Sequence, residues 1–193
     1  MTIIVIIKIL AIIILLLLSA LSSGSETALT AVSKQRAHRQ KDKGAKNANF
    51  ILKIKEFKDE FITGILLANN LFNILATALM TELLVSEFGG LGVSVATIFM
   101  TLMIVIFSEV TPKIFAINKP MTFALKVSKF FYFYTKLIKP IVNLINKISN
   151  KIIKLIGLNL NADQSKIIEE EFEGAVQLQK QYSKDGEYEA DYM

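Results

Sequence analysis

Apolar residues fall along this chain in long blocks separated by polar punctuation. The first block, about residues 9–32, opens beside Lys8, where a lysine can carry its amine up to a membrane interface. Ser22, Ser23, Gly24, Ser25 and Glu26 interrupt it. The second, about 61–85, is interrupted by Asn69, Asn70 and Asn73. The third, about 93–118, stays free of charge until Glu109 and then meets Pro112 and Lys113. Each block reaches the ~20 residues that a helix needs to cross a hydrocarbon core about 30 Å thick. The pattern predicts an all-α membrane protein with three transmembrane helices whose spans are interrupted.

The flanking segments carry a different period. Phe50, Ile51, Ile54, Phe57 and Phe61 recur at helical spacing, which predicts a short amphipathic surface helix over 49–61. Over about 122–156, Phe130, Tyr134, Leu137, Ile141, Leu144, Ile148, Ile152 and Leu155 recur at three- and four-residue steps. Lys126, Lys129, Lys136, Lys139, Lys147, Lys151 and Lys154 are spread among them. One face of such a helix suits acyl chains and the other suits lipid phosphates, so it is expected to lie along the membrane rather than cross it. Beyond Gly157 the chain turns acidic, with Glu169, Glu170, Glu171 and Glu173 in one segment, and 158–193 is expected to be a short cytosolic helical tail.

Composition agrees with a bilayer. Of 193 residues, 52% are hydrophobic, and the mean hydropathy is +0.47, too oily for an ordinary soluble domain of this size. The net charge of +5 gathers in lysine-rich stretches beside apolar blocks, as in loops facing an anionic cytoplasmic leaflet; nucleic acid is not an expected partner. Residues 34–58 hold many cations, whereas 86–92 hold Glu87, three glycines and no cation. The positive-inside rule then puts the N-terminus outside and the C-terminus in the cytoplasm of a multi-pass protein of the cell's inner (plasma) membrane. The first apolar run is not expected to be a cleaved signal peptide, because it lacks a basic start and resumes directly after Glu26. With no cysteine and the single His38, thiolate and imidazole metal sites are excluded, and any metal must be held by oxygen.

The spans carry oxygen at one depth. Counting about nine residues inward from Val32, Phe61 and Asn118, at about 1.5 Å each, reaches Ser23, Asn69 and Glu109, roughly 13–15 Å deep and near the midplane. Asn73 lies one turn beyond Asn69 on the same face. Such groups are costly in lipid and must face each other, a cavity or an ion. Helix breaks near Gly24 and Pro112 would free backbone carbonyls, and a hard cation such as magnesium takes that kind of oxygen set. Structural roles compete. Glu109 could pair with Lys113, four residues on, the asparagines could hydrogen-bond between helices, and the Ser22 to Ser25 run could pack closely.

Three segments resemble the transmembrane domain of the CorC/cyclin M (CNNM) family of magnesium transporters. They are Ser23-Gly24-Ser25-Glu26-Thr27-Ala28-Leu29, Ile65-Leu66-Leu67-Ala68-Asn69-Asn70-Leu71-Phe72-Asn73-Ile74 and Ser108-Glu109-Val110-Thr111-Pro112-Lys113. The resemblance implies a homodimer with three spans per subunit over 1–157, a juxtamembrane helical belt and magnesium held between the spans. It also implies export of that magnesium, driven by sodium entry. The implied metal ligands are Ser23, Asn73 and Glu109, with Asn69 and Ser25 behind them. Ala68 and Ser108 stand where the family pattern usually has glycine. Family members usually continue into a full acidic bundle and a paired cystathionine-beta-synthase module, so a truncated or split product is expected here. No covalent chemistry and no organic cofactor are implied, and the chain is not expected to be an enzyme. Two other classes stay open: a non-transporting membrane scaffold or inactive relic, and a haemolysin-like membrane-perturbing protein, suggested by the lysine-rich amphipathic segment.

Overall fold

The computed structural model describes residues 2–156, and every regular element within them is helical. The segment 158–193, expected to open an acidic helical bundle, lies outside the described residues. The chain divides into one unit over Met1–Leu144 and another over Ile145–Met193. All interactions discussed below lie in the first, and the described part of the second is the last turns of one helix.

Three stretches are long and apolar enough to cross a membrane: Ile3–Ala31, Lys58–Phe88 and Leu91–Asn118. The first belongs to α1 (Thr2–Ala31), which passes through Ser22 and Ser25 without a break. The hydroxyls there do not compete with the helix. Ser22 Oγ donates to Leu18 O at 2.9 Å, Ser25 Oγ to Leu21 O at 2.6 Å and Thr27 Oγ1 to Ser23 O at 3.2 Å, each turned back on its own ladder.

Two short helices follow. The sequence suggested only a cationic loop for the first, α2 (Lys34–Asp42), yet Ser33 caps it by accepting from Arg36 N at 3.3 Å. Next comes α3 (Ala48–Glu56), shorter than the expected 49–61, because Phe57 leaves helical geometry and a new helix starts behind it. Asn47, with φ 69, introduces α3 in the left-handed conformation that asparagine tolerates.

The second span is α4 (Lys58–Phe88), with Asp59 and Glu60 in its first turn, where carboxylates complement the helix dipole. Gly89, φ 58, ends it. The third span is composite: α5 (Leu91–Met103), a π segment (Ile104–Val110) and α6 (Thr111–Asn118). Pro112 explains the irregularity. It has no N–H, so the carbonyl of Ser108 loses its ordinary α partner and the turn before it widens; Thr111 N–H donates to Ile106 O, five residues back. A long helix, α7 (Pro120–Leu155), then continues through Pro140.

The first span is central, packing against α4, the π segment and α6. Apolar contacts gather in two clusters. One, at the lysine-rich end, joins Leu29, Val32, Ile51, Ile54, Phe61, Ile65, Val127 and Phe131. Three hydrogen bonds tie α3 and α4 to α7 there: Asn47 Nδ2 donates to Leu125 O at 3.0 Å, Ser128 Oγ donates to Asn47 O at 3.2 Å, and the Tyr134 hydroxyl donates to Gly64 O at 3.1 Å. The other cluster, at the opposite end of the spans, joins Ile12, Ala76 and Met100. Between them lies a layer of buried polar residues, Ser19, Ser22, Ser23, Ser25, Asn69 and Ser108.

Candidate cation site

That polar layer is where the three spans meet. Ser19 Oγ lies 2.5 Å from Asn69 Oδ1 and 2.7 Å from Asn73 Oδ1. A hydroxyl has one proton and can donate it to one of these carbonyls only. The other oxygen therefore faces Ser19 with lone pair against lone pair. Rotating one amide to bring its Nδ2 inward relieves that, and so does a cation among the three oxygens.

Ser23 stands one turn from Ser19 on the same face of α1. It is fully buried, and its Oγ is the one buried side-chain polar atom left without a hydrogen-bond partner among the described residues. An orphaned buried hydroxyl costs about 1–3 kcal/mol, so Ser23 Oγ is free to meet a water or an ion. Ser25, equally buried, is bonded back to Leu21 O and turned away from need.

Glu109 lies in the π segment and is half-buried. Two contacts bracket it along α1. Its neighbour Ser108 donates from Oγ to Leu16 O at 3.2 Å. On the other side, a Cβ on Gly24 would come within 3.3 Å of Pro112 O and 2.9 Å of Phe123 Cζ. The stretch of α1 between those contacts carries Ser19, Ser22 and Ser23. Glu109 forms no ion pair with Lys113; the ion pairs among the described residues are Lys8–Glu82 at 2.7 Å and Lys139–Glu60 at 3.4 Å. No hydrogen bond joins it to the serines or asparagines either.

The residues singled out in the sequence thus divide. Asn69 and Asn73 are joined through Ser19, Ser23 lies one turn from that serine on α1, Glu109 lies in the π segment that packs against α1, and Ser25 is satisfied locally. Sequence reasoning passed over Ser19, which lies a turn nearer the outer end than the depth count allowed. The count began α1 near Val32 and α4 near Phe61, whereas α1 ends at Ala31 and α4 starts at Lys58. From those ends Ser19 and Asn69 lie within a residue of the same depth, about 16–18 Å in at about 1.5 Å per residue. The i, i+4 spacing of Ser19 and Ser23 against that of Asn69 and Asn73 was the available signal.

No group of three His, Cys, Asp or Glu is present among the described residues. A metal here would be held by neutral oxygens and at most one carboxylate per chain, a hard-cation set that leaves room for retained water.

Three apolar spans around a buried layer of oxygen donors define an all-α integral membrane protein with a mid-membrane polar site. The family model for the cyclin M transmembrane N-terminal domain matches residues 10–190, and the chain belongs to that family. A UPF0053 protein of Haemophilus influenzae is 33% identical over 151 residues, 78% of this chain and 36% of the relative. The UPF0053 inner membrane protein YfjD of Escherichia coli is 31% identical over 133 residues, covering 69% of this chain and 31% of that protein. A putative chloroplastic DUF21 domain-containing protein of Arabidopsis thaliana is 31% identical over 133 residues, 69% of this chain and 20% of its own length. The chain spans about a third of the length of the bacterial relatives it matches.

Proposed function

We propose that the chain is the membrane part of a carrier for a divalent cation, magnesium first, which it passes through the polar layer by exposing that layer alternately to the two sides. The observation that carries the proposal is the convergence of Ser19, Asn69 and Asn73 beside the unpartnered, fully buried Ser23 hydroxyl. Ser19, Ser23, Asn69, Asn73 and Glu109 are the ligand set, with Ser25 behind them. Glu109 supplies the charge, and one retained water, or the Ser108 carbonyl whose α partner Pro112 cannot provide, completes an octahedral shell.

The lysine-rich end faces the cytoplasm of an inner membrane and the Lys8–Glu82 end faces out, by the positive-inside rule. Export coupled to sodium entry follows from the family resemblance. A second copy of the chain is the expected partner, as the family resemblance implies. No bond is made or broken.

The test is magnesium flux in proteoliposomes containing the native chain or Glu109→Gln. The native chain should carry magnesium, and the variant should lose at least about tenfold, since it loses the one charged ligand. Equal flux from both would remove Glu109 from the site. A native chain that carries no ion but retains a protein partner would favour a scaffold; dye leakage without ion selectivity would favour a membrane-perturbing protein.

A further inference from the structure

Beyond the polar layer, toward the Lys8 end, one face of α4 stays polar while the rest of that helix is apolar. Asn73, Thr77 and Thr81 follow one another at four-residue steps, and Glu82 lies beside the last. All four line an open groove of about 710 Å³ with Ile74, Ala78, Val85 and Ile104. The threonines are bonded back to their own helix, Thr77 Oγ1 to Asn73 O and Thr81 Oγ1 to Thr77 O, both at 2.8 Å. Each hydroxyl proton is thereby used, and what remains toward the groove is acceptor oxygen.

The groove has the right length. From Asn73 to Glu82 is nine residues, about 13–14 Å at 1.5 Å per residue, which is close to half a hydrocarbon core. It also has the right volume. A divalent ion with six waters needs about seven water-sized volumes, roughly 200 Å³ at ~30 Å³ each. At the far end Lys8 Nζ meets Glu82 Oε1 at 2.7 Å, with Glu82 62% exposed and Lys8 24%. A carboxylate this open at the edge of the spans is far less costly against water than against acyl chains.

We propose that this groove is the outer half of the cation path, that Glu82 is a second, outer station for the ion, and that the Lys8–Glu82 ion pair closes it. The proposal rests on the carrier reading. With Lys8 on Glu82 the carboxylate is neutralised and the mouth holds no net charge for a cation. An ion leaving the Asn73 level competes with Lys8 for the same carboxylate, so release outward and opening of the pair are one event.

The chain contains no cysteine, so single thiols can be introduced one at a time without removing any. Thr77→Cys and Thr81→Cys are to be reconstituted in liposomes and treated from each side with a membrane-impermeant, positively charged thiosulfonate. Ile98→Cys, exposed on the third span and away from the groove, is the control. Both groove thiols should be modified from the outer side only, while Ile98→Cys stays inert. Adding Lys8→Gln should speed the Thr81→Cys reaction about fivefold by exposing the carboxylate charge to a cationic reagent, and Glu82→Gln should remove that gain. Groove thiols as inert as Ile98→Cys would overturn the path, and rates unaffected by Lys8→Gln would overturn the closure. Labelling needs no transport, so a native chain without magnesium flux would count against the carrier reading alone.

Discussion

At the scale of single residues, Ser19 and Ser23 make opposite demands on the polar layer. The Ser19 hydroxyl serves the buried amide of Asn69, which is 9% exposed. Ser19→Ala strands that amide and should destabilise the protein by about 1–3 kcal/mol. Ser23 Oγ has no hydrogen-bond partner among the described residues, so Ser23→Ala should leave thermal stability in detergent unchanged or slightly raised when metal is removed. If Ser23 is a ligand, the same change should shrink the rise in melting temperature that added magnesium gives the native chain, because a ligand that binds the folded state stabilises it in proportion to its affinity. An unchanged magnesium shift in Ser23→Ala would show the hydroxyl to be a mere defect of packing. The residue types that form this layer were legible in the sequence, and their depth only to within about a turn. Which serine meets which asparagine was not, since a helix end misplaced by one to three residues moves a side chain by most of a turn.

At the scale of elements, the joints between spans decide how far the polar layer can be held together. The α4–α5 turn is a tight one: a Cβ on Gly92 would overlap the backbone of Leu84, and a backbone cannot swing aside as a side-chain tip can. Gly92→Ala should therefore cost roughly 1–3 kcal/mol, read as a lower melting temperature and weaker expression. Gly64→Ala is the comparison. Its Cβ would come to 2.6 Å of Ile138 Cδ1, the far end of a flexible side chain, and should cost well under that. Three spans could be drawn from hydropathy because hydrocarbon demands unbroken apolar length. The helix over Lys34–Asp42 could not, since α2 buries only Ala37 and leaves almost no apolar period to detect. The π segment was foreshadowed by Pro112, but a proline says that the ladder must adjust and not whether it kinks or widens.

At the scale of the whole molecule, charge is concentrated at one end of the spans and must be tolerated where they are packed. Lys55, on α3, donates from Nζ to Thr30 O at 3.2 Å, at the C-terminal end of α1 where a cation complements the helix dipole. It is crowded there. Burial pushes its pKa below the usual 10.5, and the charges of Lys58 and Lys34 push it further the same way. The sign of the linkage follows. Between the lowered value in the folded chain and 10.5 in the unfolded one, the unfolded state holds the proton that the folded state has released. Stability attributable to Lys55 is thus lowest below its folded value and rises with pH across that window. The melting temperature in neutral detergent should climb as the pH rises toward 10.5, and Lys55→Met should flatten part of the climb. Lys58→Gln should flatten it too, more weakly, because relief from one neighbouring charge leaves the desolvation in place. Identical slopes in the native chain and Lys55→Met would assign the strain at this end to the other lysines, and would leave Lys55 as a simple dipole anchor for α1.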